Sequence, residues 1–519
     1  MLKKFEYDDI PAIKTTAGFV KGYQFDGTYI FKGIPYAYAD RFQMPVPPIP
    51  WNGIKETTSY GMVCPLLLPE HPNGELMVPH MYWPQDEHCQ NLNIWTQSID
   101  SHAKKPVMVW LHGGGFFAGS SIEQLAYDGE NMSKYGDVVV VSLNHRLNIL
   151  GFLDLSPFGE KYKNSANAGL ADLVEALRWI QANIENFGGD KNNITLFGQS
   201  GGGMKVSALM QIPEAEGLFH KGIIMSGVAG DFMPFANHQD GTQIVNALLD
   251  ELHLTDVEQL ENIPYSLLVD AYLKVSVSLQ MQGIYVGNNP MINDYFLGEP
   301  QMTTFSKQAQ KTPLMIGSVF GEMSFSQINF NKQTMSEEEM KTILQKQYHE
   351  HTEKIISAFQ KAYPDKKIID VLSIDTIFRP LSKDYLQVKA KYQQAPTYNY
   401  LFALDFPIQH GKPAWHCSDI PFVFHNIDKV PSASIEGVSE HLQEQMFKSI
   451  IHFARYGDPN HDGIPYWEAC RPDNEVTMIF DKECHAAINF DNELYQVLKQ
   501  AIPKISIVDI LAQMNNIQH

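Results

Sequence analysis

Positive charge is scarce in this chain. Lys and Arg number 39 against 59 Asp and Glu, a net charge of −20 over 519 residues. Nucleic acid is therefore not expected as a partner, because phosphate binding needs basic patches. Long apolar runs are missing as well: none approaches the roughly 20 residues that span a bilayer. The start, Met1-Leu2-Lys3-Lys4-Phe5-Glu6, has two lysines with no apolar stretch behind them, unlike a secretory signal. The expectation is a soluble, cytoplasmic protein with no membrane partner. Cysteine is sparse, and its odd count of five fits mostly free thiols. No C-x-x-C pair and no His/Cys cluster of zinc spacing occurs, and His349-Glu350-His351 lacks the H-E-x-x-H spacing, so it reads as polar helix surface. Neither G-x-x-x-x-G-K-[ST] nor G-x-G-x-x-G is present, which leaves no phosphate or dinucleotide loop. No cofactor and no metal is expected.

What is present is an ordinary globular balance, 44% hydrophobic and 19% charged. The N-terminal part reads as β-rich, with Gly18 to Gly22 and Tyr29 to Gly33, followed by a proline-rich loop from Pro45 to Pro50. Short, nearly continuous apolar runs follow at Val107 to Leu111, Val138 to Leu143, Ile194 to Phe197, Ile223 to Met225 and Leu314 to Ile316. Runs of this kind suit a parallel sheet covered on both faces. Between the second and third, Leu170, Leu173, Val174, Leu177 and Ile180 recur at helical spacing. Alternating strands and helices predict an α/β fold, a mostly parallel central sheet with helices on both faces. No repeat or low-complexity linker divides the chain, so one domain over residues 1–519 is expected. Two more polar, more helical stretches, about 230–310 and 325–394, read as insertions. They are expected to cap the sheet's C-terminal edge, where α/β sites lie.

The segment Gly198-Gln199-Ser200-Gly201-Gly202 follows the run Ile194 to Phe197 and precedes a stretch that can be helical. That strand–turn–helix setting makes a G-x-S-x-G segment a nucleophile elbow. A serine hydroxyl is a weak nucleophile and must project toward a base from a tight, strained turn. The alternative is a glycine-rich turn before a helix. A nucleophile elbow calls for an oxyanion hole upstream, and Val107 to Leu111 runs into His112-Gly113-Gly114-Gly115. Bare glycine backbone can turn its N–H groups toward a carbonyl oxygen. Its alternative is another tight turn. The two motifs together are far more specific than either alone.

These motifs, with several others, resemble the type-B carboxylesterases of the cholinesterase superfamily, most closely the bacterial para-nitrobenzyl-esterase type. The resemblance covers nearly the whole chain. It includes Phe31-Lys32-Gly33-Ile34-Pro35-Tyr36, Glu87-His88-Cys89-Gln90-Asn91-Leu92-Asn93, Asn144-His145-Arg146-Leu147 and Phe187-Gly188-Gly189-Asp190. It closes on His416-Cys417-Ser418-Asp419-Ile420-Pro421-Phe422-Val423-Phe424. The resemblance implies an α/β-hydrolase fold and a triad of Ser200, Glu322 and His416. Pattern alone does not choose among the histidines after Glu322, with His410 the nearest rival; the residues following His416 decide it. The implied oxyanion donors are the backbone N–H groups of Gly114, Gly115 and Gly201, and Ser226 matches a serine that hydrogen-bonds the acidic member. Arg41 with Glu87 and Arg146 with Asp172 match structural ion pairs. Cys64 and Cys89 match a disulfide, which a reducing cytoplasm would leave open. Trp83, near Cys89, reads as loop packing, and Cys417 as a packed thiol.

Four letters depart from the family pattern. Gly201 stands where Ala is usual, which suggests a looser turn. Gln199 stands where Glu is usual, which removes a negative charge and disfavours choline esters. Gly321 and Met323 flank Glu322 where the family has an acidic and a small residue. The expected function is serine carboxylesterase activity on a small-molecule ester through an acyl-enzyme. The alternatives are an amidase or carbamate hydrolase using the same residues and, from a different class, a non-catalytic binding member of the fold.

Overall fold

The computed structural model describes residues 3–68, 77–228, 230, 240–300, 303–324 and 331–502. They form two compact units. The first holds the N-terminal strands, the chain from Pro79 to Ile223, and a later segment ending at Thr312. The second holds Ile224 to Val228 and the chain from Pro313 onward. No linker composition marks the division, because Ile223 and Ile224 lie inside one fully buried strand, Lys221–Met225.

In the first unit the strand order is Phe5–Glu6, Tyr23–Phe25, Thr28–Pro35, Asn91–Thr96, Val139–Leu143, Lys105–Leu111, Gly189–Gln199. The N-terminal strands pair antiparallel as far as Val139–Leu143. From there the pairing is parallel. Val139–Leu143 is buried at every position, and its Val-Val-Val-Ser-Leu sequence is what a strand covered on both faces requires. The register decides where chemistry can lie. Gly198 stands opposite Leu111, so the loops following these two parallel strands leave the same end of the sheet, side by side. The expected helix appears as Ala168–Asn183 and buries the predicted apolar stripe.

In the second unit Leu314–Val319 pairs parallel with Thr397–Phe402, which pairs parallel with Val476–Phe480; His485–Ile488 closes the edge antiparallel. The insertion stretches are helical as expected. Thr242–Leu252 and Tyr265–Met281 belong to the first, and Glu337–Tyr348, Thr352–Ala362 and Phe378–Ala390 to the second. Residues 231–239, 301–302 and 325–330 of these stretches lie outside the described residues. The first pair of helices has its own core, in which Ile244, Leu248, Leu268 and Tyr272 pack with Phe42, Ile149 and Leu153. Among the described residues no helix is long and apolar enough to cross a membrane.

Both expected ion pairs form. Arg41 Nε donates to Glu87 at 2.7 Å, and its Nη2 donates to the other oxygen. Arg146 forks onto Asp172 at 2.9 and 2.8 Å, while its backbone N–H reaches the same carboxylate at 2.9 Å. Arg146 and Asp172 are fully buried, so removing the acid alone strands a guanidinium in a low-dielectric interior. Asp172→Ala is expected to lower stability by about 3–5 kcal/mol, read as a shifted denaturant midpoint. A midpoint within error of wild type would contradict a structural role for the pair.

Candidate active site

Ser200 sits at φ 57° and ψ −125° between the strand Gly189–Gln199 and the helix Gly201–Leu209. A non-glycine residue at positive φ with such a ψ stores about 1–3 kcal/mol of strain. The neighbours show what holds it there. A Cβ added at Gly198 would lie 2.4 Å from the Gly202 carbonyl carbon, and one at Gly202 would lie 1.9 Å from Leu111 O. The turn closes because neither position carries a side chain. Behind Ser200 the helix starts at once, with Met204 N–H donating to Ser200 O at 3.1 Å. Its first N–H groups therefore point back toward the serine, and its dipole favours negative charge there.

The glycine loop lies against this turn. Gly114 and Gly115 have φ of 82° and 63°. A Cβ on Gly201 would stand 2.3 Å from both N and O of Gly115. The expectation of a looser turn at Gly201 is thus corrected: the Gly115 backbone occupies the space that an alanine methyl would take. Three predicted donors, the N–H groups of Gly114, Gly115 and Gly201, come from two backbone segments in contact.

Glu322 and His416 meet in the second unit. Glu322 is fully buried. Its Oε2 accepts from His416 Nδ1 at 2.5 Å, and its Oε1 accepts from Val319 N–H at 2.8 Å. A proton held on Nδ1 by a carboxylate makes Nε2 the basic nitrogen. Phe378 stacks on the imidazole, with centroids 5.3 Å apart and planes at 15°. The unusual Gly321 also has a cause. Its N–H donates to Ala414 O at 2.8 Å, and a Cβ there would lie 2.9 Å from that oxygen and 3.0 Å from Ser373 O. A side chain before Glu322 would push away the loop that delivers His416. Of the predicted site residues, Ser226 departs from expectation. Val319 N–H and His416 Nδ1 donate to Glu322, while the Ser226 hydroxyl is buried with no hydrogen-bond partner among the described residues. Its backbone N–H donates to Gly317 O at 2.8 Å instead.

Two further acids flank this pair. Asp375 accepts from the N–H groups of Ile377, Phe378 and Arg379 at the start of the helix Phe378–Ala390. Asp419 accepts from the Tyr400 hydroxyl at 2.8 Å, and the Tyr400 ring fits only because Gly317 opposite has no Cβ. Burial first, and the nearby Glu322 charge second among the raising causes, push each carboxyl up to about 7. Pattern reading missed Asp375, which has no local motif, and passed over Asp419 although it lies in the closing motif. It also missed Lys205, whose only signal was a lone charge in the apolar run Met204 to Met210.

Cys64 and Cys89 are buried free thiols, and Cys64 Sγ accepts from Leu147 N–H at 3.2 Å. Trp83 packs edge-on against Tyr60 with centroids 5.6 Å apart, as loop packing predicts. Among the described residues no group of three or more His, Cys, Asp or Glu side chains could hold a metal.

A strained serine between a parallel strand and a helix, with a glycine loop at its side, defines a carboxylic ester hydrolase of α/β-hydrolase fold, and comparison with known proteins agrees. A model of the Carboxylesterase family matches residues 9–498, and the chain belongs to that family. It is 31% identical to para-nitrobenzyl esterase of Bacillus subtilis over 91% of this chain and 95% of that one. It is equally similar, with the same coverage, to phenmedipham hydrolase of Pseudarthrobacter oxydans. Among solved structures, an esterase from Clostridium hathewayi described as hydrolysing aliphatic aromatic polyesters shares 54% identity at a TM-score of 0.95, covering 96% of this chain and 100% of that one. A carboxylesterase of Geobacillus stearothermophilus shares 29% identity at a TM-score of 0.72, covering 94% and 99%.

Two outcomes follow from the geometry. Gly201→Ala forces its methyl onto the Gly115 backbone, so it is expected to cost about 1–3 kcal/mol, as overpacking does. A thermal melt unchanged from wild type would mean that the two segments do not touch. For Asp419 the sign is set by its raised folded value. The folded state keeps a proton that the unfolded chain releases, so this group erodes stability as pH climbs from about 4 to about 7. Asp419→Asn, which still accepts from Tyr400, is expected to flatten that part of the stability–pH curve, measured by urea unfolding at pH 5 and pH 8. Parallel curves for variant and wild type would contradict a buried, proton-holding Asp419.

Proposed function

We propose that this enzyme is a serine carboxylesterase acting through an acyl-enzyme, with Ser200 as nucleophile, His416 as general base and acid, and Glu322 as the orienting acid. The observation that carries the reading is the conformation of Ser200, held at φ 57° by neighbours that only glycine can occupy. The Ser200 oxygen bonds to the ester carbonyl carbon while its proton passes to His416 Nε2. The carbonyl oxygen becomes an oxyanion facing the N–H groups of Gly114, Gly115 and Gly201; each such donor is worth about 10²- to 10³-fold in rate. The ester C–O bond then breaks, and His416 returns the proton to the departing alcohol. Water repeats the sequence in reverse, giving the acid and free Ser200. Glu322, through its 2.5 Å bond to Nδ1, holds the tautomer and stabilises the imidazolium.

The substrates proposed are small carboxylic esters and, on the strength of the similarity to the Clostridium hathewayi esterase, oligomers of aliphatic–aromatic polyesters. An amidase or carbamate reading would use the same residues, and comparing an ester with an anilide of one acyl group separates them. The helical insertions are proposed to shape the pocket. Gln199, buried beside Ser200, supplies no negative charge for a choline headgroup.

Ser200→Ala is expected to abolish turnover of p-nitrophenyl butyrate and release of aromatic diacid from a polyester film, with the melting temperature retained. More than a few per cent of wild-type turnover in that variant would overturn the nucleophile assignment.

A further inference from the structure

The helix that begins after Ser200 carries a charge on its buried side. Lys205 is 0% exposed, an environment a lysine almost never occupies without a specific reason. Its Nζ donates to the carbonyl oxygen of His112 at 3.0 Å. His112 directly follows the strand Lys105–Leu111 and directly precedes Gly113. The bond therefore lands on the joint where the strand becomes the glycine loop.

The rest of the joint is built around the same point. His112 Nδ1 lies 2.9 Å from Gly113 O, and the His112 ring stacks on His145 with centroids 5.2 Å apart. His145 Nδ1 in turn lies 2.8 Å from Arg146 O. A ring nitrogen facing a carbonyl oxygen must carry the proton, so in both rings Nε2 is the bare acceptor. Among the described residues neither Nε2 atom has a hydrogen-bond partner, and both are buried. Burial and the Lys205 charge hold both imidazoles well below their usual range, so they remain neutral. Below about pH 7 the lysine is therefore the cation of this cluster. A hydrophobic side chain would fill this space without the desolvation cost of an ammonium.

We propose that Lys205 is a positioning residue for the oxyanion hole: through the His112 carbonyl it fixes the Gly113–Gly115 loop, and its ammonium places positive charge behind the N–H groups that receive the oxyanion. The inference rests on the reading of Gly114, Gly115 and Gly201 as that hole. A fixed positive charge in a water-poor interior acts more strongly in the transition state, where the oxygen is anionic, than on the neutral ester. Its effect therefore belongs to kcat rather than KM.

The charge is also titratable. The groups that face it are His112 at the end of its strand, His145 after Val139–Leu143, Glu123 from the segment beyond the glycine loop, and Cys64 from the N-terminal region. Burial draws Lys205 down to about 7, with Glu123 and Cys64 opposing that pull. The active form is the protonated one, so this group gives kcat a falling limb as pH rises through that value.

The test uses the full-length enzyme, p-nitrophenyl butyrate and an aryl trifluoromethyl ketone, whose hemiketal with Ser200 carries an oxyanion. Lys205→Met is expected to lower kcat about 10- to 100-fold with KM within about twofold. Ketone affinity should fall by a similar factor, and the falling limb should vanish. Glu123→Gln, which removes a charge that favours the lysine's proton, is expected to move the falling limb to lower pH. A folded Lys205→Met enzyme with kcat within about twofold of wild type, or one that loses only thermal stability, overturns the proposal. An unmoved limb in Glu123→Gln overturns it as well, and decides the matter if Lys205→Met does not fold. Ser200→Ala separates the two levels. Turnover surviving in that variant sinks the nucleophile reading, whereas a dead Ser200→Ala beside a fully active Lys205→Met sinks only this inference.

Discussion

The first unit depends on one close approach between two stretches of bare backbone. Gly198 pairs with Leu111 across parallel strands, and the chain beyond each strand must turn within the space the other leaves. Leu111 O takes the place of a Cβ on Gly202, and Gly115 takes the place of one on Gly201. Any side chain at these points would separate the strand ends. The strain in Ser200 is sustained because the strand fixes it on one side and the helix Gly201–Leu209 on the other. Neither element alone would hold a serine at φ 57°. The conformation of Ser200 is thus a consequence of sheet register and glycine placement.

The second unit meets a different constraint, that of keeping acids buried. Glu322, Asp375 and Asp419 all lie in the interior. Three carboxylates together could not all ionise without large cost. The structure sorts them by partner. Glu322 faces an imidazole and a backbone N–H, while Asp419 faces the hydroxyl of Tyr400. Asp375 receives helix N–H groups, yet burial still holds its proton. Of the three, only Glu322 meets the His416 ring directly. Lys205 in the first unit meets the same constraint with the sign reversed, a buried amine drawn down to about 7 beside two neutral rings.

How much of this was legible in the sequence follows from the range of each interaction. The strands from Val107 onward were readable because a sheet covered on both faces demands uninterrupted apolar runs. The elbow and the glycine loop were readable because their geometry excludes side chains, and absence of a side chain is a letter in the sequence. The pairing of Glu322 with His416 needed the family resemblance, since 94 residues separate them and no local pattern links the two. Asp375 and Lys205 were not readable. Their importance comes from burial, and burial of one polar residue is decided by elements distant in the chain. The division into two units leaves no mark in the composition, because it falls within a strand, between Ile223 and Ile224.

The departures from the family pattern gain a meaning from this. Read one letter at a time, Gly201 looked like a methyl lost from the turn and Gly321 like a charge lost beside the acid. In the structure each is half of a pair. Gly201 is matched to the approach of Gly115, and Gly321 to the approach of Ala414 and Ser373. Restoring the commoner residue would not restore the commoner geometry, because the partner backbone already occupies the room. Substitutions around such a site are therefore coupled through backbone positions rather than through side-chain contacts. Lys205 fits the same scheme. It reaches not a side chain but the carbonyl of His112, so it too acts on the course of the backbone that leads into the glycine loop.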